Sequence, residues 1–219
     1  MKFSIVIPVY NKQDFLGSCF ASLEAQTCHD FEVVLVDDGS TDKSSVMCDE
    51  FAKKSGLPVT VIHKQNEGLM CARRDGIHAA KGEYIIHHDA DDDLRNICVE
   101  SLAKRLSETG ADVIWFCFSM QPDYSDRVGA VDAADEFPTI GIREARMLIC
   151  KGGYNAIDTK VARRELLQAL EVYDLYPEVM IGEDLLQSAN LYSESVTTEY
   201  VSDSLCFYNQ NEQSSTRNY

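Results

Sequence analysis

The sequence predicts an α/β domain with a mostly parallel central sheet flanked by helices. Three observations predict it. Short apolar runs alternate with helical periodicities through the first half of the 219-residue chain. The runs are continuously apolar, as in strands buried on both faces, so helices must cover both sides. Acidic and polar clusters follow the second and fourth runs, at the edge where such sheets bind ligands.

Phe3 to Val9 is a short, β-branched apolar run and reads as a strand. From Asp14 to Ala25, Phe15, Cys19, Phe20 and Leu23 recur at helical spacing. "FEVVLV", 31–36, is a second strand. Asp42 to Ser55 reads as a helix with Val46, Phe51 and Ala52 inward, stopped by Gly56-Leu57-Pro58. "VTVIH", 59–63, is the third strand, and Asn66 caps a helix to about Ala80, ended by Lys81-Gly82. "EYIIHH" is the fourth strand, followed by a helix over 94–107 and the apolar run 112–118.

The second half is less regular. Residues 121–140 are acidic with Pro and Gly and read as loop. Helices are expected near 142–150, 160–170 and 183–193, then short strands at "TTEYV" and "SLCFYN". The expected organisation is a single domain.

Composition narrows the function classes. Hydrophobic residues make up 45% and charged residues 26%, an ordinary globular balance. The formal net charge of -16 disfavours nucleic acid as a partner, and no Lys/Arg block offsets it. No run reaches the length of a membrane span. The N-terminus lacks the small-residue cleavage site of a signal peptide. The eight cysteines stand singly, without C-x-x-C. Cys71, Cys98, Cys117 and Cys150 fall within apolar stretches and are expected to be reduced core residues of a cytoplasmic protein. Neither Cys nor His shows zinc-ligand spacing.

In "VLVDDGSTD", 34–42, a turn and helix cap account for one carboxylate. The second of Asp37 and Asp38 is surplus, and a carboxylate there can accept hydrogen bonds from a base or ribose. In "NEGLMCARRDG", 66–76, Gly68 is unfavourable in a first helical turn. Such a Gly admits a close ligand, and helix N-termini favour anions. Arg73 could reach a diphosphate, although taken alone Arg73 and Arg74 read as solvated surface groups.

"YIIHHDADDDL", 84–94, is the sharpest feature. Like charges this dense raise one another's pKa. A hard divalent cation relieves the repulsion, because it takes oxygen ligands. On an extended backbone Asp89 and Asp91 would face one ion together. Mg²⁺ or Mn²⁺ is held by one or two carboxylates plus substrate phosphates. His87 and His88 read as strand residues. In "IGEDLLQSANLY", 181–192, Glu183 and Asp184 open a helix, where acids complement the dipole. One of them suffices for that role; the other is available to a base-catalysed transfer.

Taken in order, "IVIPVYN", "FEVVLVDDGSTD", "NEGLMCARRDG", "GEYIIHHDADDD" and "GEDLL" resemble the family 2 glycosyltransferases of GT-A (Rossmann-like) fold. The likeness is specific over residues 3 to about 110. It continues more weakly through "KVARRELL" to "YNQNEQSSTR", 208–217. It implies an inverting enzyme that moves a sugar from a nucleotide diphosphate, UDP foremost, to the hydroxyl of a glycan or lipid-linked acceptor. The setting it implies is cell-surface glycan synthesis, in the cytoplasm or peripheral to the inner membrane face.

By that resemblance, residues 1–120 form the nucleotide-sugar half and 121–219 the acceptor half. Pro8, Val9, Tyr10, Asp37, Asp38, Arg73, Asp89 and Ala90 line the donor site. Asp91 and Asp89 bind Mn²⁺ or Mg²⁺, Asp184 is the catalytic base, and Glu183 and Asp92 support it or contact acceptor. The chain departs from the family pattern at His88, commonly apolar, and at Asn209, where a basic residue often follows the tyrosine. A sugar-nucleotide-binding module without turnover is the alternative reading. Phosphoryl transfer is disfavoured, since there is no G-x-x-x-x-G-K loop.

Overall fold

The computed structural model describes residues 1–128, 139–151, 155–179, 182–192 and 195–209. Strand β1 (Phe3–Val9), helix α1 (Leu16–Glu24), β2 (Phe31–Asp38), α2 (Ser44–Lys54), β3 (Val59–Lys64), α3 (Leu69–Ala79) and β4 (Tyr84–His87) alternate as expected. Then come β5 (Asp93–Leu94), α4 (Cys98–Thr109), β6 (Val113–Ser119), β7 (Thr139–Ile140) and α5 (Ile142–Cys150). A 3₁₀ turn (Ile157–Thr159) leads into β8 (Lys160–Arg163), α6 (Arg164–Gln168), α7 (Val172–Leu175), α8 (Glu183–Leu191) and β9 (Thr198–Phe207).

One sheet runs through the molecule in the order β3-β2-β1-β4-β8-β6-β9-β5, with β7 also on β9. β3, β2, β1 and β4 are parallel. Their carboxyl ends therefore share one edge, which gathers the loops after Val9, Asp38, Lys64 and His87. β6 runs parallel to β9, and β8 is antiparallel to both β4 and β6.

The apolar strands fill two cores. Phe3, Ile5, Ile7 and Val9 pack with α1, α2 and α4 residues such as Leu16, Phe51 and Leu102 on one face. Val6, Val34 and Val36 pack with Met70 and Ile77 of α3, Ile149 of α5 and Leu191 of α8 on the other. This two-sided burial explains why the strands lack polar alternation. Helix α3 lies so close that a Cβ on Gly76 would stand 2.4 Å from Val6 Cγ1.

Several sequence expectations are corrected. The helix expected over 160–170 begins as β8, and only Arg164–Gln168 is helical. Leu94 belongs to β5, so the following helix starts later, at Cys98. The two short strands near the C-terminus are one strand with irregular register. Val46 is 59% exposed, because the inner face of α2 is Ser44, Cys48 and Phe51. Asn66 caps nothing with its side chain; the N-cap is Gly68 at φ 92°, a conformation that favours glycine. All eight cysteines are free, and Cys150 is exposed rather than in the core. Most of the expected 121–140 loop, and residues 210–217 of the last motif, lie outside the described residues.

Candidate active site

The carboxyl edge of the parallel strands builds one face of the site. Pro8 and Val9 end β1, in register with Val36 and Asp37 of β2. Tyr10 follows them, 48% exposed. The next residues are stitched to the loop after β2. Asn11 N donates to Ser40 Oγ (3.0 Å), Lys12 N to Ser44 Oγ (2.8 Å) and Gln13 N to Asp42 Oδ2 (3.1 Å). In return Thr41 N donates to Asn11 Oδ1 (2.8 Å) and Lys43 N to Gln13 Oε1 (3.1 Å). Asn11 takes a positive φ of 52° to make this possible.

Both paired aspartates have partners within the chain. Asp38 is buried and accepts from the backbone N–H of Glu67 (2.9 Å) and Gly68 (2.8 Å), fixing the entry to α3. Asp37 accepts from Ser40 N (3.0 Å), and its Oδ2 stands 2.9 Å from His63 Nδ1. Burial acts against the Asp37 charge, but Ser40 and His63 outweigh it and hold the carboxyl below its usual range. His63, at the end of β3, was not anticipated as part of this edge. Its other nitrogen lies 3.2 Å from Asp49 Oδ1.

The acidic cluster is not extended. β4 ends at His87, and His88 N still donates to Val6 O (3.0 Å). The chain then turns, with Asp92 N donating to Asp89 O (3.1 Å). The expected period-two alignment of Asp89 and Asp91 is therefore replaced by a turn that gives each carboxylate its own partner. Asp89 Oδ1 accepts from Arg73 Nη2 (3.2 Å), and Asp91 Oδ2 from Lys12 Nζ (2.6 Å). Asp92 Oδ1 accepts from Asn209 N (2.9 Å), and Asp93 Oδ2 from Ser18 Oγ (2.7 Å). Ala90 is buried in the core beneath.

Arg73 is the junction. It is 1% exposed, not the solvated group that its residue type suggests. Its Nη1 donates to Asp184 Oδ1 at 2.8 Å, so one guanidinium joins the acidic turn to the start of α8. Burial opposes its charge, yet Asp184 and Asp89 more than compensate and raise its pKa. Glu183 and Asp184 occupy the first turn of α8, whose N-cap Gly182 has φ 77°. Burial, together with Asp184, raises the Glu183 pKa.

Two further residues reach this centre without having been expected. Asp158 lies on the 3₁₀ turn before β8, and Lys160 begins β8. Burial pushes Asp158 up to about 7, with Asp89 and Asp184 adding to the effect and Arg73 and Lys160 opposing it. Burial lowers Lys160 to about 8, and its Nζ sits 5.2 Å from the centre of the Trp115 ring. Their signal in sequence, one acid and one lysine within "IDTKVA", is too weak to separate from a surface turn.

The chemistry of the donor set fits a divalent cation. Burial pushes Asp92 up to about 9, and Asp89 and Asp158 push it further in the same direction. Desolvation likewise raises Asp89, against Arg73 and reinforced by Asp184 and Asp91. Asp89, Asp91, Asp92, Asp158, Glu183 and Asp184 gather here with only Lys12, Arg73 and Lys160 as cations, and a hard cation would complement that excess. Among the described residues no three His, Cys, Asp or Glu side chains form a cage. His87 and His88 are buried, and burial lowers them to about 3 and about 4, so both are neutral strand-end residues.

The sequence model described as Glycosyl transferase family 2 matches residues 4–170. The chain belongs to glycosyl transferase family 2. Over 112 residues this family 2 chain is 40% identical to Glycosyltransferase GlyG of Streptococcus pneumoniae, covering 51% of the chain and 37% of GlyG. Over 211 residues it is 26% identical to the poly(ribitol-phosphate) beta-N-acetylglucosaminyltransferase TarS of Staphylococcus aureus, covering 95% of the chain and 35% of TarS. It thus spans about a third of the length of both relatives. The solved S. aureus TarS 1-349 complex with UDP-GlcNAc superposes with TM-score 0.82 at 24% identity, over 100% of the chain and 61% of TarS 1-349. The mannosyltransferase PcManGT of Pyrobaculum calidifontis, solved with GDP-Man and Mn2+, gives TM-score 0.67 at 18% identity, over 97% of the chain and 58% of PcManGT. The fold is the GT-A type. No helix among the described residues is long and apolar enough to cross a membrane.

Proposed function

We propose that this family 2 chain carries the donor site and catalytic base of a metal-dependent inverting glycosyltransferase. Its donor is a nucleotide-diphosphate sugar, with UDP the first candidate. Its acceptor is a hydroxyl of a cell-surface glycan or polymer. The observation that carries the reading is Arg73. It bonds Asp89 of the acidic turn and Asp184 of the Glu-Asp pair, bringing together motifs far apart in the chain. The TarS complex holds UDP-GlcNAc, which supports a UDP donor, and PcManGT holds Mn2+, which supports a divalent ion.

In this reading residues 1–120 bind the donor and 121–219 present the acceptor. The base and ribose lie along Pro8, Val9, Tyr10, Asp37 and Asp38. Asp91 and Asp89 would hold Mn²⁺ or Mg²⁺, which when bound supplies Lewis-acid stabilisation of the departing diphosphate. Asp184 accepts the acceptor hydroxyl proton as the new oxygen–carbon bond forms. The bond from the anomeric carbon to the diphosphate oxygen breaks, and the nucleotide diphosphate leaves with that electron pair. Attack opposite the leaving group inverts the anomeric centre. Arg73 keeps Asp184 oriented toward the cleft, and Glu183 stands beside it at the helix start.

The test is a thermal-shift panel of nucleotide diphosphates with and without Mn²⁺, followed by donor turnover assays. A ligand that binds only the folded protein raises its melting temperature. Metal-dependent stabilisation by UDP, with sugar transfer or slow donor hydrolysis, is expected. Absence of any metal-dependent nucleotide stabilisation overturns the reading. Stabilisation without turnover leaves only a sugar-nucleotide-binding module.

A further inference from the structure

Asp91 already carries a cation of the chain's own. Lys12 Nζ lies 2.6 Å from Asp91 Oδ2, with side-chain exposures of only 23% and 16%. Ion pairs of two exposed, mobile side chains contribute little. This pair is different because the lysine is anchored at its root. Its own N–H is bonded to Ser44 Oγ, and both neighbours, Asn11 and Gln13, are bonded to the loop after β2. Its ammonium also lies 5.7 Å from the centre of the Phe15 ring. Lys12 is thus delivered to one carboxylate rather than left to sample the surface.

We propose that Lys12 is the resident counter-ion of Asp91 and competes with the divalent cation for it. The inference rests on the metal-dependent reading above. An ammonium in contact with one carboxylate oxygen and a divalent ion on the same carboxylate would stand within a few ångströms of each other, in a cleft partly shut off from water. Their repulsion there is only weakly screened. Metal loading therefore requires the ammonium to leave Asp91. Arg73 is not such a counter-ion dedicated to one carboxylate, because its guanidinium is divided between Asp89 and Asp184. Lys12 sets how much free metal is needed to load the site, and it offsets the charge of Asp91 until then.

The test reads metal binding directly. Free Mn²⁺ is followed by electron paramagnetic resonance in titrations of the full chain, with and without saturating UDP. The proteins are wild type, Lys12→Met, Lys12→Gln and Lys54→Met. Lys54 pairs with Glu50 on the outside of α2, so its removal controls for overall charge. Lys12→Met and Lys12→Gln are expected to bind Mn²⁺ about tenfold more tightly than wild type, while Lys54→Met stays within about twofold. Unchanged or weaker Mn²⁺ binding in the Lys12 variants overturns the inference and leaves the metal-dependent reading intact. No Mn²⁺ binding by any of the proteins, even with UDP, overturns both. Should Lys12→Met fail to fold, Lys12→Gln, which keeps a polar group at the site, decides the outcome.

Discussion

Arg73 and Asp184, 111 residues apart in the chain, meet at 2.8 Å in the cleft. The guanidinium fork matters because Asp89 takes its other amino group at 3.2 Å. A lysine at this position would keep the charge but not the bridging geometry. Arg73→Lys is expected to lower turnover by about a hundredfold through misorientation of Asp184, the proposed base. Arg73→Met should also lose roughly 1–3 kcal/mol of stability, less than for a fully buried pair, because both carboxylates keep some contact with water. Initial rates and urea midpoints check the two effects separately.

Asp184→Asn removes the proposed proton acceptor while keeping shape and a hydrogen-bond acceptor for Arg73. Turnover should fall by about 10²–10⁴-fold, the usual size of a general-base contribution. The nucleotide-dependent rise in melting temperature should persist. If turnover is unaffected, the base lies elsewhere in the cleft.

Gly76→Ala tests the packing that places α3, and with it Arg73. The new methyl would stand 2.4 Å from Val6 Cγ1 and 3.2 Å from Val36 Cγ2, inside the sheet. Overpacking of this kind costs about 1–3 kcal/mol. A urea midpoint unchanged from wild type would mean that the helix shifts outward without penalty.

The contact between His63 and Asp37 predicts a pH signature. Asp37, with Asp49 adding to its effect, raises the His63 pKa above 6.5, although partial burial opposes the charge. Its stabilising contribution is therefore complete below pH 6.5 and disappears as pH rises through the folded-state value. The Asp37 pKa is lowered from 3.8, so its share is present above that pH and is lost on acidification through the lower folded value. His63→Gln should accordingly be more destabilising at pH 5.5 than at pH 8.5. Urea melts of both proteins at the two pH values give the comparison, and an equal difference at both would show that the His63 charge contributes nothing.

The first half of the fold was legible because its strands are buried on both faces and its helices carry regular apolar spacing. Phe3–Val9 and Phe31–Val36 have one reading. The second half was not, because "KVARRELL" holds a strand of only four residues followed at once by a helix. Lys160 obscured it further. A lysine rarely signals a buried strand, yet here Trp115 and the nearby carboxylates receive it. Asp89, Asp91 and Asp184 were legible through their motifs. Lys12, His63 and Asp158 belong to no motif, and only the loops that the sheet brings side by side place them at this edge. The extended geometry expected for Asp89 and Asp91 failed because strand propensity says nothing about where a turn begins.

β8 has a consequence for how the chain can be divided. Its four residues come late in sequence, yet they bond β4 on one side and β6 on the other. A fragment stopping after β6 would keep β1 to β6 and still leave open hydrogen-bonding edges on β4, which loses β8, and on β6, which loses β8 and β9. Such edges recruit other chains. Expressed alone, that fragment should aggregate, and supplying the missing piece in trans should restore its solubility.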